Sequence, residues 1–247
     1  MKKHISVLML YVRSSLYKVL GVAALTGLLQ VLFFYLALKN SITSSELIEA
    51  PVKIFKAGKT ALMGGLGLVA ISLIIPFTGM DMGAKPSYRL QRLRVTPLAG
   101  VIWQSVSNCL MLFIYYASQL AAVLICCRVY QRVTAIYELG VNSQVFFITF
   151  WTDSYLHGLL PLDDRAVCYK NAAMLLYAGI SAAILTRRQQ RGKSSFGFAL
   201  AVSLLLLNFP ASVDDNMVEI VTVVGVVALL VTSLAIYWSR EERKKEL

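Results

Sequence analysis

The sequence predicts an all-α polytopic membrane protein. It has six transmembrane helices in one domain spanning 1–247, an amphipathic helix ahead of the first, and a short cytoplasmic helix between the second and third. Three observations lead there. Of 247 residues, 57% are hydrophobic and only 15% charged, more apolar surface than a soluble core hides. The charged residues stand in clusters between long uncharged runs. Lys and Arg are concentrated in alternate clusters along the chain.

A charged side chain at the centre of a helix in lipid costs roughly 2.5 to 3.5 kcal/mol even on insertion scales, so the gaps between charges mark the spans. Uncharged runs near the roughly 20 residues needed to cross hydrocarbon lie at 19–38, 60–80, 194–213 and 220–239. A fifth span lies within 95–127, starting near Val101. The sixth is the shorter 171–186, which needs Lys170 and Arg187 to snorkel. The first run is long and has no small-residue cleavage site, so it reads as a retained span rather than a signal peptide.

Cytoplasmic segments are enriched in Lys and Arg. With both termini in the cytoplasm, the inner side receives Lys2, Lys3, Arg13 and Lys18, then Lys85, Arg89, Arg92 and Arg94. Arg187, Arg188, Arg191 and Lys193 follow, then Arg240, Arg243, Lys244 and Lys245. That is 16 of the 24 basic residues. The loop carrying Asp214, Asp215 and Glu219 falls outside. An alternative makes 139–162 the fourth span and 196–210 an external re-entrant piece. It leaves 14 basic residues inside and puts Asp153 in lipid. The net charge of +11 follows the membrane-flanking segments, with no nucleic-acid-binding motif, so topology and anionic lipid account for it and nucleic acid is not expected as a partner.

Taken in order, the lead HISVLMLYVRSSLYKVL places Ile5, Leu8, Met9, Val12 and Leu16 on one helical stripe. Residues 1–18 therefore read as a helix lying on the inner membrane surface, or as an extension of the first span into the headgroups. In AGKT at Ala57 to Thr60 the GK pair lacks the glycine five positions earlier that a phosphate-binding loop requires, since position 53 is lysine. Gly64, Gly65 and Gly67 then suit close helix packing.

After the second span comes SYRLQRLRVTPLAG. A short helix over 87–95 would put Leu90, Leu93 and Arg94 on one side, with Arg89 and Arg92 flanking it. Pro97 lacks a backbone donor and biases Thr96 away from helix, so this element should stop before the third span begins. The stretch RLRVTPL, Arg92 to Leu98 with Val95 at its centre, resembles the intracellular coupling segment of ABC-2 type transporter permeases. The acidic residue and glycine often seen upstream of it are replaced here by AKPSYRLQ. The resemblance implies a coupling segment over 85–97 (Arg89, Leu90, Arg92, Leu93, Arg94, Val95, Thr96 and Pro97) that contacts cytoplasmic ABC ATPase subunits. It also implies a second permease, identical or homologous. No cofactor is expected on this chain; ATP and Mg would sit on the partner ATPase.

Along the third span Gln104, Asn108, Met111, Tyr115 and Gln119 share one face, which would line a pathway or bond to neighbouring helices. Asp153 and His157 are four apart. On one helix they would share a face, as a surface hydrogen bond or, if 139–162 spans, a proton relay. Cys109, Cys126, Cys127 and Cys168 show no CxxC spacing, and the two histidines, His4 and His157, are too far apart for an HExxH site, so no metal site is expected.

The expected function is the permease subunit of an ATP-driven exporter in the cell membrane, without enzymatic activity of its own. Its substrate would be an amphipathic peptide, antimicrobial or lipid-like molecule. The alternatives are a non-transporting membrane interaction or immunity protein and an intramembrane enzyme using Asp153 and His157.

Overall fold

The computed structural model describes residues 2–44, 50–79, 96–136, 144–161, 165–189, 196–208 and 216–242, and every regular element among them is helical. The helices are α1 (Lys2–Ser44), α2 (Pro51–Ala57), α3 (Thr60–Gly79), α4 (Pro97–Ile136), α5 (Gln144–Thr152), α6 (Ser154–Leu159), α7 (Arg165–Gln189), α8 (Gly197–Asn208) and α9 (Asn216–Glu242). Four of them, α1, α4, α7 and α9, are long and apolar enough to cross a membrane. The pair α2 and α3 makes a fifth if taken as one span bent by 47°. Helix α8, in the run expected to span at 194–213, has 12 described residues. That is about 18 Å of helix against roughly 30 Å of hydrocarbon.

The lead at 2–18 does not form a separate surface helix. It continues the axis of the first span in one unbroken helix, because 2–18 holds no Gly or Pro to end it. Ser14 and Ser15 turn their hydroxyls back onto the Tyr11 carbonyl without interrupting the backbone. The stripe read from the lead is buried only in part: Ile5 and Met9 are exposed, while Val12 and Leu16 pack partly buried against the core. The buried face is Val7, Ser15, Val19, Ala23, Thr26, Gln30, Phe34, Leu38 and Ser41, a run at helical spacing through lead and span alike.

Between α2 and α3 the chain turns at Gly58 and Lys59, with Lys59 at φ 48°. Gly58 is required by proximity: a Cβ there would stand 3.1 Å from the Phe34 Cα of α1. Phe34 and Phe55 pack beside it with ring centroids 4.6 Å apart.

Cross-helix pairs fix the helix directions. Gln30 meets Thr60 and Thr26 meets Gly67, so α1 and α3 are antiparallel. Gly64 faces Gln119 and Gly67 faces Tyr115, so α3 and α4 are antiparallel. Asn108 bonds Gly179 and Tyr116 bonds Asn171, so α4 and α7 are antiparallel. The chain between Ile136 and Arg165 therefore leaves and returns at the same end of the bundle. This is at odds with 139–162 as a crossing. Its described part is two short helices broken at Asp153.

Helix α7 is the central element, with 67% of its most apolar stretch buried, whereas α9 is peripheral, with 11%. The side chain of Lys170 does not snorkel. It is buried against Glu219 of α9, and Glu219, expected in an outer loop, sits in the first turn of that helix. The proposed coupling residues Arg89, Leu90, Arg92, Leu93, Arg94 and Val95 lie outside the described residues. Thr96 is non-helical and Pro97 is the first residue of α4. The Thr96 hydroxyl oxygen accepts from the Ala99 N–H at 3.4 Å, capping the helix where the proline cannot donate.

Candidate functional site

A buried polar junction stands where α1, the start of α3, α4 and α6 meet. Each helix brings small or polar residues to it: Thr26 and Gln30 from α1, the Thr60 carbonyl and Gly64 from α3, Tyr115 and Gln119 from α4, and Tyr155 from α6. Gln30 and Gln119 are 1% and 0% exposed, so their amides are satisfied by protein or not at all.

Gln30 Nε2 donates to Gln119 Oε1 at 2.7 Å and to the Thr60 carbonyl at 3.1 Å, with Tyr155 Oη at 3.4 Å. Gln119 Nε2 donates to Thr26 Oγ1 at 3.3 Å, and Tyr115 Oη donates to the Gly64 carbonyl at 2.6 Å. Gln30 Oε1 is buried and accepts from nothing among the described residues. Gly64 and Gly67 make room: a Cβ at Gly64 would stand 2.5 Å from Tyr155 Oη, and one at Gly67 would collide with the Tyr115 hydroxyl.

The face read along the third span is thus buried and turned toward other helices. Gln104, Asn108, Met111, Tyr115 and Gln119 are all at most 5% exposed, and Asn108 Nδ2 donates to the Gly179 carbonyl at 3.2 Å. Bonds of this kind between amides and backbone across helices tie a membrane bundle together at about 0.6 kcal/mol each on average.

Asp153 and His157 do not form a pair. Asp153 leaves the helical region at φ −89°, ψ 116°, and its Oδ1 accepts from the Tyr155 and Leu156 N–H groups at 3.1 Å each, capping α6. The His157 ring instead meets Trp151 edge-on, with centroids 6.0 Å apart. Helix α6 is held in place from two sides. Asn171 Nδ2 of α7 donates to the Gly158 carbonyl at 2.6 Å, and Tyr116 Oη of α4 donates to the Leu159 carbonyl.

Sequence reasoning missed Thr26, Gln30 and Tyr155. Thr26 and Gln30 carried a usable signal, an i, i+4 polar pair inside an otherwise apolar span. Among the described residues no cluster of His, Cys, Asp and Glu could hold a metal. The junction's groups are amides, hydroxyls and carbonyls, which can hold helices in register and accept one further donor at Gln30 Oε1. Comparison with known proteins finds no matching family model, no matching curated protein and no matching solved structure.

Proposed function

We propose that the chain is the membrane-spanning permease subunit of an ATP-driven exporter of the ABC-2 type. It would pair with an identical or homologous permease and with cytoplasmic ATPase subunits that carry ATP and Mg. Its cargo is an amphipathic peptide, antimicrobial or lipid-like molecule.

The observation that carries this reading is the direction of the helices. Helix α3 ends and α4 begins at the end of the bundle where α1 starts. Helix α7, antiparallel to α4, finishes there with Arg187 and Arg188. The helix ends joined by the Arg89–Val95 connection therefore stand among the basic residues of one face, as a cytoplasmic docking element requires. Helices α7 and α9 run parallel, since Lys170 meets Glu219 while Leu176 and Ile180 share a cavity with Leu234 and Trp238 further along. A parallel pair favours a return crossing between them, which supports the sixth span in the run containing α8.

In this reading ATP binding moves the segment around Arg89 to Pro97, and α3 and α4 tilt about the Gln30–Gln119 junction between two packings. The test is a mild-detergent pull-down of the tagged chain with mass spectrometry and an ATPase assay. A P-loop ATPase should co-purify, and Leu93→Asp with Arg94→Glu should abolish its association and transport. A clean pull-down without any ATPase from gently solubilised membrane overturns the proposal and favours the non-transporting interaction protein.

A further inference from the structure

An open cavity of about 560 Å³ runs between α4, α7 and α9, within the roughly 300–1,000 Å³ range of ligand sites. Leu98, Ile102 and Val106 line it from α4, Leu176 and Ile180 from α7, and Trp238 from α9. Its few polar atoms are turned away: the Ser105 hydroxyl donates to the Val101 carbonyl at 2.8 Å, and the Cys109 thiol faces the Leu176 carbonyl at 3.8 Å. From Leu98 to Cys109 the α4 wall extends about 16 Å along the helix axis. Apart from Tyr237, whose hydroxyl is buried, the lining is an apolar slot with little for a polar group to bond.

One end of the slot is different. Arg187 lies seven residues beyond Ile180 and eleven beyond Leu176, which puts it on the same stripe of α7. Because α4 and α7 are antiparallel with Asn108 opposite Gly179, the eight residues from Gly179 to Arg187 bring Arg187 level, by helix rise, with the first turn of α4. It is half-buried there. Trp238, 52% exposed, marks the same end from α9, with Tyr237 next to it. Aromatic rings of this kind sit at the headgroup level of a bilayer, and basic pockets between transmembrane helices bind anionic headgroups.

We infer that this groove is a binding site for an anionic phospholipid, with one acyl chain along the α4/α7 slot and the phosphate at Arg187. An apolar slot alone would accept any chain. The cation on the slot's own stripe, at the end where the rings stand, selects the charge of the headgroup. The site does not depend on the exporter reading, since it uses neither the coupling segment nor the polar junction.

The experiment uses the full chain in vesicles, with Trp238 as sole tryptophan (Trp103→Phe, Trp151→Phe), titrated with brominated phosphatidylglycerol or brominated phosphatidylcholine. Phosphatidylglycerol should half-quench Trp238 at about a fivefold lower mole fraction, the preference one basic residue confers. Arg187→Gln should bring the ratio to one, while Arg187→Lys should keep it. Val106→Phe, which fills the slot, should weaken quenching by both lipids. Equal quenching by the two lipids overturns the proposal, and so does a Trp238 shielded from both by a second copy of the chain, shown by cross-linking at Trp238→Cys. The wild-type ratio decides the matter even where Arg187→Gln fails to fold.

Discussion

Lys170 Nζ lies 2.9 Å from Glu219 Oε1, with the two side chains 2% and 1% exposed, so α7 and α9 are joined by a buried ion pair. Glu219 Oε2 is buried without a hydrogen-bond partner among the described residues, so the carboxylate relies on Lys170 to offset its charge. Breaking such a pair from one side costs about 3–5 kcal/mol, while replacing both members with apolar residues of similar volume is often neutral. Lys170→Met alone should sharply lower thermal stability in detergent, and Lys170→Met with Glu219→Leu should restore most of it. A double-variant loss equal to the sum of the Lys170→Met and Glu219→Leu losses would show that the pair is not coupled.

Gly67 and Gly65 should part company although they are neighbours in one helix. A Cβ at Gly67 meets the Tyr115 hydroxyl, whereas one at Gly65 meets nothing within 4 Å. Gly67→Ala should destabilise by about 1–3 kcal/mol through overpacking, with partial rescue by Tyr115→Phe. Gly65→Ala should be neutral or stabilise by up to about 1 kcal/mol. Melting curves of the three variants decide it.

Asp153 distinguishes capping from chemistry. Asn caps helices about as well as Asp, so Asp153→Asn should leave stability and activity nearly unchanged, while Asp153→Ala should cost about 1 kcal/mol. A proton relay would give the opposite pattern in activity, with the Asn variant dead and its fold intact.

The two buried amides should behave as a unit. Gln119→Leu strands Gln30 Nε2 from its 2.7 Å acceptor and should cost about 1–3 kcal/mol. Adding Gln30→Leu removes the stranded donor, so the double variant should be no worse than the single. A strictly additive loss, measured in a double-mutant cycle, would show that the amides act separately.

The parts of this fold that charge governs were open to sequence reasoning. A proline interrupts an apolar run visibly, so the break ahead of α4 was legible at Pro97 although the span was expected to start near Val101, and α7 and α9 contain the uncharged runs 171–186 and 220–239. The Gln104 to Gln119 face was likewise visible, because an amide in a span must find a partner. The fate of the lead was hidden, since an amphipathic stripe is compatible with a surface helix and with a helix packed on a neighbour. The Lys170–Glu219 pair was hidden more deeply: the partners are 49 residues apart, and each alone looks like a charge at a membrane boundary. Asp153 carried a readable signal, an Asp just before Ser and a short apolar run, which marks a helix start as readily as a relay.

Helices α1 and α4, at 43 and 40 residues, are about 64 and 60 Å long, roughly twice the hydrocarbon thickness. Each is therefore a lever whose arms reach well past the lipid. In α1 the Gln30 contacts stand about 42 Å from the Lys2 end. A tilt of about 10° around that fulcrum sweeps the tip through about 7 Å. A tilt that is small deep in the bundle is thus magnified, at the far end of the helix, into a stroke wider than the pitch of a helix turn.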